Sequence, residues 1–101
     1  MDELQAHLVS GELLGEYRRP AKHLRCADGL KLSVQASNMH YCTPCNNAGP
    51  YTAVEVGYPT GAVPEFVEYA EDADNLTGTF YPQVPTSLVL EVINRHGGVA
   101  P

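Results

Sequence analysis

The stretch His40-Tyr41-Cys42-Thr43-Pro44-Cys45-Asn46-Asn47-Ala48-Gly49-Pro50 is where this chain comes closest to visible chemistry. Two thiols three positions apart can grip a tetrahedral zinc ion, because the turn between them brings both sulfurs to one side. His40 would supply a third ligand, and Cys26 or His23 a fourth. There is one Cys-x-x-Cys pair, however, with no second at zinc-finger spacing, and His40 shares a side with Cys42 only where the segment is extended. Redox chemistry needs a thiolate stabilised at a helix amino terminus, whereas Asn-Asn-Ala-Gly-Pro follows Cys45 and starts no helix. The favoured reading is a loop between strands, with Cys42 partly packed and Asn, Gly and Pro supplying turn conformations. Zinc on Cys42, Cys45 and His40 stands as the alternative. Nothing else in the sequence calls for a catalytic group or a cofactor, so a non-enzymatic protein is expected.

The second feature is electrostatic. Five of the six basic residues, Arg18, Arg19, Lys22, Arg25 and Lys31, precede position 32, where five acids cancel them. From Leu32 to Asn94 there is no Lys or Arg, and Glu65, Glu68, Glu71, Asp72 and Asp74 crowd into ten residues. The net charge of −6 therefore belongs to the later part of the chain. Such a field repels nucleic acid and acidic lipid and attracts basic surfaces, including those that hold DNA or RNA. The plainer account is a solvated acidic loop that keeps the protein soluble. Tyr58 and Tyr69 lie near these acids and are candidate anchors, because tyrosine buries area and still hydrogen-bonds. The early stretch Arg18–Arg25, which contains His23, is balanced by Glu12, Glu16 and Asp28, so no direct nucleic-acid contact is expected from it.

These groups must be positioned by one domain, since 101 residues leave room for a single modest core. No apolar run approaches the roughly 20 residues of a membrane span, and the amino terminus is acidic, unlike a secretory signal. Three cysteines, an odd number, suit a reducing compartment, so a cytoplasmic protein is expected.

Asp2 can cap a short first helix with Leu4 and Leu8 on one face and Gly11 as its stop. From Leu30 to Ser37 apolar and polar residues alternate strictly, the period of a half-buried strand. Residues opposite each other in an antiparallel pair share a face, so a two-residue Asp28-Gly29 loop would force Arg25 opposite Leu32 on the core side. A three-residue loop, Ala27-Asp28-Gly29, instead pairs Cys26 with Leu30 and Leu24 with Leu32. That register makes Cys26 a core residue. Tyr51 to Tyr58 reads as a strand with Val54, Val56 and Tyr58 inward and Glu55 outward, ended by Pro59. Periodicity leaves Val63 to Asp74 open between strand and helical turn, and Thr79-Phe80-Tyr81 reads as a short strand. The final helix starts with Pro85 as its first residue, carries Leu88, Val89, Val92, Ile93 and His96 on one face, and stops at Gly97-Gly98. The fold expected is α+β: a small antiparallel sheet of three to four strands packed against a C-terminal helix, with a short N-terminal helix.

Taken together, LSVQAS, HYCTP, GPYTAVEVGYP, EYAED and VPTSLVLEVINRHGG resemble a group of small phage- and prophage-encoded proteins, over roughly residues 23 to 98. In similar sequences a basic residue follows the Thr-Pro step, where this chain has Cys45. The resemblance implies a small accessory protein that binds and blocks a host protein, anti-CRISPR inhibitors being one such class. It transfers no catalytic residue. The partner expected is a host protein with a basic surface, a CRISPR effector subunit among them. A structural phage protein that self-associates through a sheet edge, and hence a homo-oligomer, is a further alternative.

Overall fold

The computed structural model describes residues 3–100. In chain order it contains α1 (Glu3–Leu8), β1 (Leu13–Leu14), β2 (Tyr17–Arg18), β3 (Leu24–Arg25), β4 (Lys31–Gln35), β5 (Ala53–Gly57), a 3-10 helix (Pro64–Tyr69), β6 (Phe80–Pro85) and α2 (Thr86–Arg95). Strands β3 to β6 pair antiparallel in chain order as one four-stranded sheet, and β1–β2 form a separate hairpin. This is the α+β arrangement expected. No helix among the described residues is long and apolar enough to cross a membrane.

The core is built from one face of the sheet. Leu24, Leu32, Val34, Val54, Val56, Tyr81 and Val84 meet Val89, Val92 and Ile93 of α2, with Leu4 and Leu8 of α1 joining the same cluster. Alternation explains the sheet contribution, and the i, i+3, i+4 spacing explains that of α2. Asp2, the expected cap of α1, lies outside the described residues. The helix ends at Leu8, so Gly11 is not its stop. Gly11 serves a close approach instead: a Cβ there would stand 1.8 Å from the Arg19 carbonyl oxygen.

The β3–β4 hairpin has the register that side-chain parity demands. Leu24 lies opposite Leu32, the Cys26 amide donates to the Leu30 carbonyl at 2.7 Å, and Gly29 takes a φ of +100°. Cys26 is buried. The turn then docks on the end of α2, where the amides of Ala27 and Asp28 donate to the carbonyls of Gly98 and His96. That end is a Schellman motif: Gly98 N–H bonds Ile93 and Gly97 N–H bonds Asn94, with Gly97 at φ +91°.

Three further expectations are corrected. Tyr58 is 54% exposed rather than inward, because its φ of +50° breaks the strand alternation, and Pro59 takes the buried place. Pro85 is not the first helical residue: its backbone is extended and still pairs with Ala53 as the end of β6, so α2 begins at Thr86. Strand β6 runs on well past Tyr81, through a bulge. Val56 lies opposite Tyr81 but Val54 opposite Val84, which places one extra residue in β6. Residues 64–69, left open between strand and helical turn, form the 3-10 helix, and its Phe66 is fully buried with its ring 6.0 Å from that of Tyr81.

Candidate functional site

The long connection from β5 to β6 carries the acidic residues, and the core fixes its path. Phe66 anchors the 3-10 helix. Beyond it the Glu71 amide donates to the Phe80 carbonyl at 3.0 Å, the Asp72 amide to Thr79 Oγ1 at 3.1 Å, and the Tyr81 hydroxyl to the Leu76 carbonyl. Asp72 Oδ1 accepts from the Asp74 amide, closing a turn. The segment thus lies along the start of β6 instead of trailing into solvent.

The five acids divide into two groups. Glu65 is committed within the protein: Arg95 donates through Nε to Oε2 at 2.5 Å and through Nη2 to Oε1 at 2.9 Å, and this bonding holds the Glu65 carboxyl below its ordinary value. Glu68, Glu71, Asp72 and Asp74 are exposed and have no cationic partner among the described residues. The early cations are engaged elsewhere or remote in the chain. Arg18 donates to the carbonyls of Val9, Gly11 and Asn47, and Arg19 lies 3.5 Å from Glu12.

The aromatic neighbours divide similarly. Tyr69 is half-buried and packs against the core. Tyr58 turns outward, and its amide donates to the Thr79 carbonyl at 3.0 Å. The Thr79-Phe80 step is therefore a seam, with Tyr58 bonded to one residue and the Glu71-Asp72 backbone to both. Two further aromatic rings adjoin it that the linear pattern did not single out. Tyr41, 60% exposed, stacks on Phe80 with ring centroids 6.1 Å apart and an interplanar angle of 10°. Glu55 Oε1 lies 3.4 Å from the Tyr41 amide. Phe80 opposite Gly57 was readable once the β5–β6 register was known; Tyr41 was not, because its place depends on a loop.

That loop is the Cys-x-x-Cys segment, and the β6 bulge holds it. Gln83, at φ +55°, donates from its amide to the Tyr41 carbonyl and from Nε2 to the Cys42 carbonyl, and accepts from Thr43 Oγ1. Cys42 is buried, and burial pushes its thiol pKa up. Its sulfur lies 3.1 Å from the Ser37 carbonyl, on which exposed Cys45 also converges at 3.9 Å. His40 Nδ1 is bonded to Ser37 Oγ at 2.7 Å. The loop brings the two sulfurs toward one acceptor without adding the His40 ring to them, although the His40 carbonyl lies 3.7 Å from Cys45 Sγ. Among the described residues no three or more His, Cys, Asp or Glu side chains assemble as a metal-binding group. Neither thiol stands at a helix amino terminus, the position that would activate it.

Comparison with protein-family models, with curated proteins and with solved structures gives no match to this chain.

Proposed function

We propose that this chain is a non-enzymatic binding protein whose acidic and aromatic face docks on a basic surface of another protein and blocks it. The observation that carries this reading is the seam at Thr79-Phe80. It bonds the backbone of Glu71 and Asp72, in the segment that also carries Glu68 and Asp74, to the same step that binds the Tyr58 amide and bears the Tyr41–Phe80 stack, and none of these four carboxylates has a cationic partner among the described residues. Unpaired carboxylates steer a basic partner over about a Debye length, near 8 Å at physiological salt, and the rings supply area that can be buried on contact. Tyr69, being packed against the core, supports the face rather than forming its anchor. The sequence resemblance to phage accessory proteins points to a host protein as the target, and a nucleic-acid-binding complex such as a CRISPR effector offers basic ground of the right chemistry.

The test uses the quadruple variant Glu68→Gln, Glu71→Gln, Asp72→Asn, Asp74→Asn, which leaves Glu65 and its pairing intact. Wild type is expected to inhibit target-DNA binding by a purified effector at about 50 mM salt and much less at about 500 mM. The variant is expected to lose that inhibition at low salt. Inhibition undiminished by the variant, or insensitive to salt, would remove the electrostatic docking reading.

A further inference from the structure

A cavity of about 640 Å³ opens where α1, β3, the end of α2 and the segment Gly98–Ala100 meet. It shares no residue with the acidic face. The volume falls within the range of small-molecule sites. Leu24, Leu90, Ile93 and Val99 give it an apolar lining.

Its charged lining is of the opposite kind to the rest of the molecule. Arg25 and Lys31 both line the cavity and stand directly opposite each other across the β3–β4 pair. Like charges in that relation disfavour strand pairing. Neither has an acidic partner among the described residues, and the one lining carboxylate, Glu3, leaves this wall positive in a chain of net charge −6. His7 and His23 line the same space, and Nε2 of His7 is enclosed with no hydrogen-bond partner among the described residues. Two facing cations and an aliphatic wall are the complement of one ligand type.

We propose that this cavity binds a small amphipathic anion, a carboxylate or phosphate monoester head on an aliphatic body. The head lies between Arg25 and Lys31, where Arg can hold two oxygens at once and Lys adds a point charge. The aliphatic body lies against Leu24, Leu90 and Ile93. Binding relieves the repulsion between the two cations and removes apolar surface from water.

The experiment is an amide chemical-shift titration of the full chain with octyl phosphate and with octanoate, each below its micelle-forming concentration. Inorganic phosphate and 1-octanol serve as head-only and body-only probes. At least one amphiphile is expected to saturate, with shifts confined to α1, Leu24-Arg25, Lys31, the second half of α2 from Leu90, and Gly98–Ala100. Whichever amphiphile binds more tightly identifies the head, and both partial probes are expected to bind at least about tenfold more weakly than it. Arg25→Gln with Lys31→Gln, both exposed positions, is expected to weaken the amphiphile at least about tenfold while the unliganded spectrum keeps its dispersion. The proposal is overturned by an absence of saturation with either amphiphile, by shifts centred elsewhere, by 1-octanol binding as tightly as the anions, or by equal affinity in a folded double variant. Loss of dispersion in the variant moves the charge test to wild type, where a tenfold gap between amphiphile and 1-octanol sustains the proposal and a smaller gap overturns it.

Discussion

Arg95, in the last turn of α2, grips both carboxylate oxygens of Glu65 at the start of the 3-10 helix, across 30 residues of chain. The pair fastens α2 to the segment that leads into the acidic face. A carboxylate whose folded pKa is depressed, as Glu65 is by Arg95, adds stability above its unfolded pKa and loses it as pH falls through the lower folded value. Asp28 has the same sign, its carboxylate accepting from the Leu30 amide and bonding His96 Nδ1. Glu65→Gln is expected to lower the melting temperature by a few degrees near pH 7, with the gap to wild type closing below about pH 4. Melting curves taken down to about pH 3 check this. A gap that persisted there would show that pairing with Arg95 is not its source.

Gly29 and Gly97 both take positive φ, yet their substitution should not cost the same. At Gly29 an added Cβ meets nothing within 4 Å, so Gly29→Ala carries only the left-handed backbone penalty, roughly 1–2 kcal/mol. At Gly97 the Cβ would stand 3.0 Å from that of Ala27, so Gly97→Ala adds a clash between the end of α2 and the hairpin turn docked on it. Denaturant unfolding should rank Gly97→Ala as the more damaging. The reverse order would mean that the turn yields without cost.

What could be read from the sequence was local. The Cys26–Leu30 register was decided by parity alone, since the other loop would have put Arg25 among leucines. The helical face of α2 and its glycine stop followed from spacing in the same way. The misses share a cause as well. Tyr58 looked inward because alternation was carried one residue past the end of β5, onto the residue where φ turns positive, and Pro85 looked helical because proline suits both the end of a strand and the first turn of a helix. The hairpin Leu13–Arg18 went unread because two residues a side carry no period; its sign was Gly15, at φ +65° in a two-residue loop. Which acids stay free depends on Arg95 reaching Glu65, and the cavity draws on five separate stretches of chain. No linear pattern holds that information.

The three thiols should differ sharply in reactivity. Cys26 and Cys42 are buried, and burial pushes both pKa values up, whereas Cys45 is exposed. Alkylation of the native protein near neutral pH, followed by mass spectrometry, is expected to modify Cys45 alone at early times, with the other two reacting only on unfolding. A Cys42 that reacts as fast as Cys45 would restore the redox reading. Elemental analysis of the same sample is expected to find less than about a tenth of a zinc per chain, and a stoichiometric ion would restore the metal reading.

Tyr81 separates the placing of the carboxylates from their charge. Its ring is fully buried beside Phe66, while its hydroxyl donates to the Leu76 carbonyl and so ties the acidic connection to the core. Tyr81→Phe keeps the ring and every charge but leaves that carbonyl without its donor, at a cost of about 1 kcal/mol, rising toward about 3 if the carbonyl stays dry. The loss should be local. Amide exchange at Glu71, Asp72 and Asp74 is expected to quicken while Val54 and Val56 keep their protection, because the strands open only with the whole sheet. Inhibition of a basic partner should weaken in step, since the acids are then spread over a looser segment with the same net charge. Exchange unchanged at Glu71 and Asp72 would transfer the holding role to their own bonds to Phe80 and Thr79, and Thr79→Val would then be the variant that releases the face.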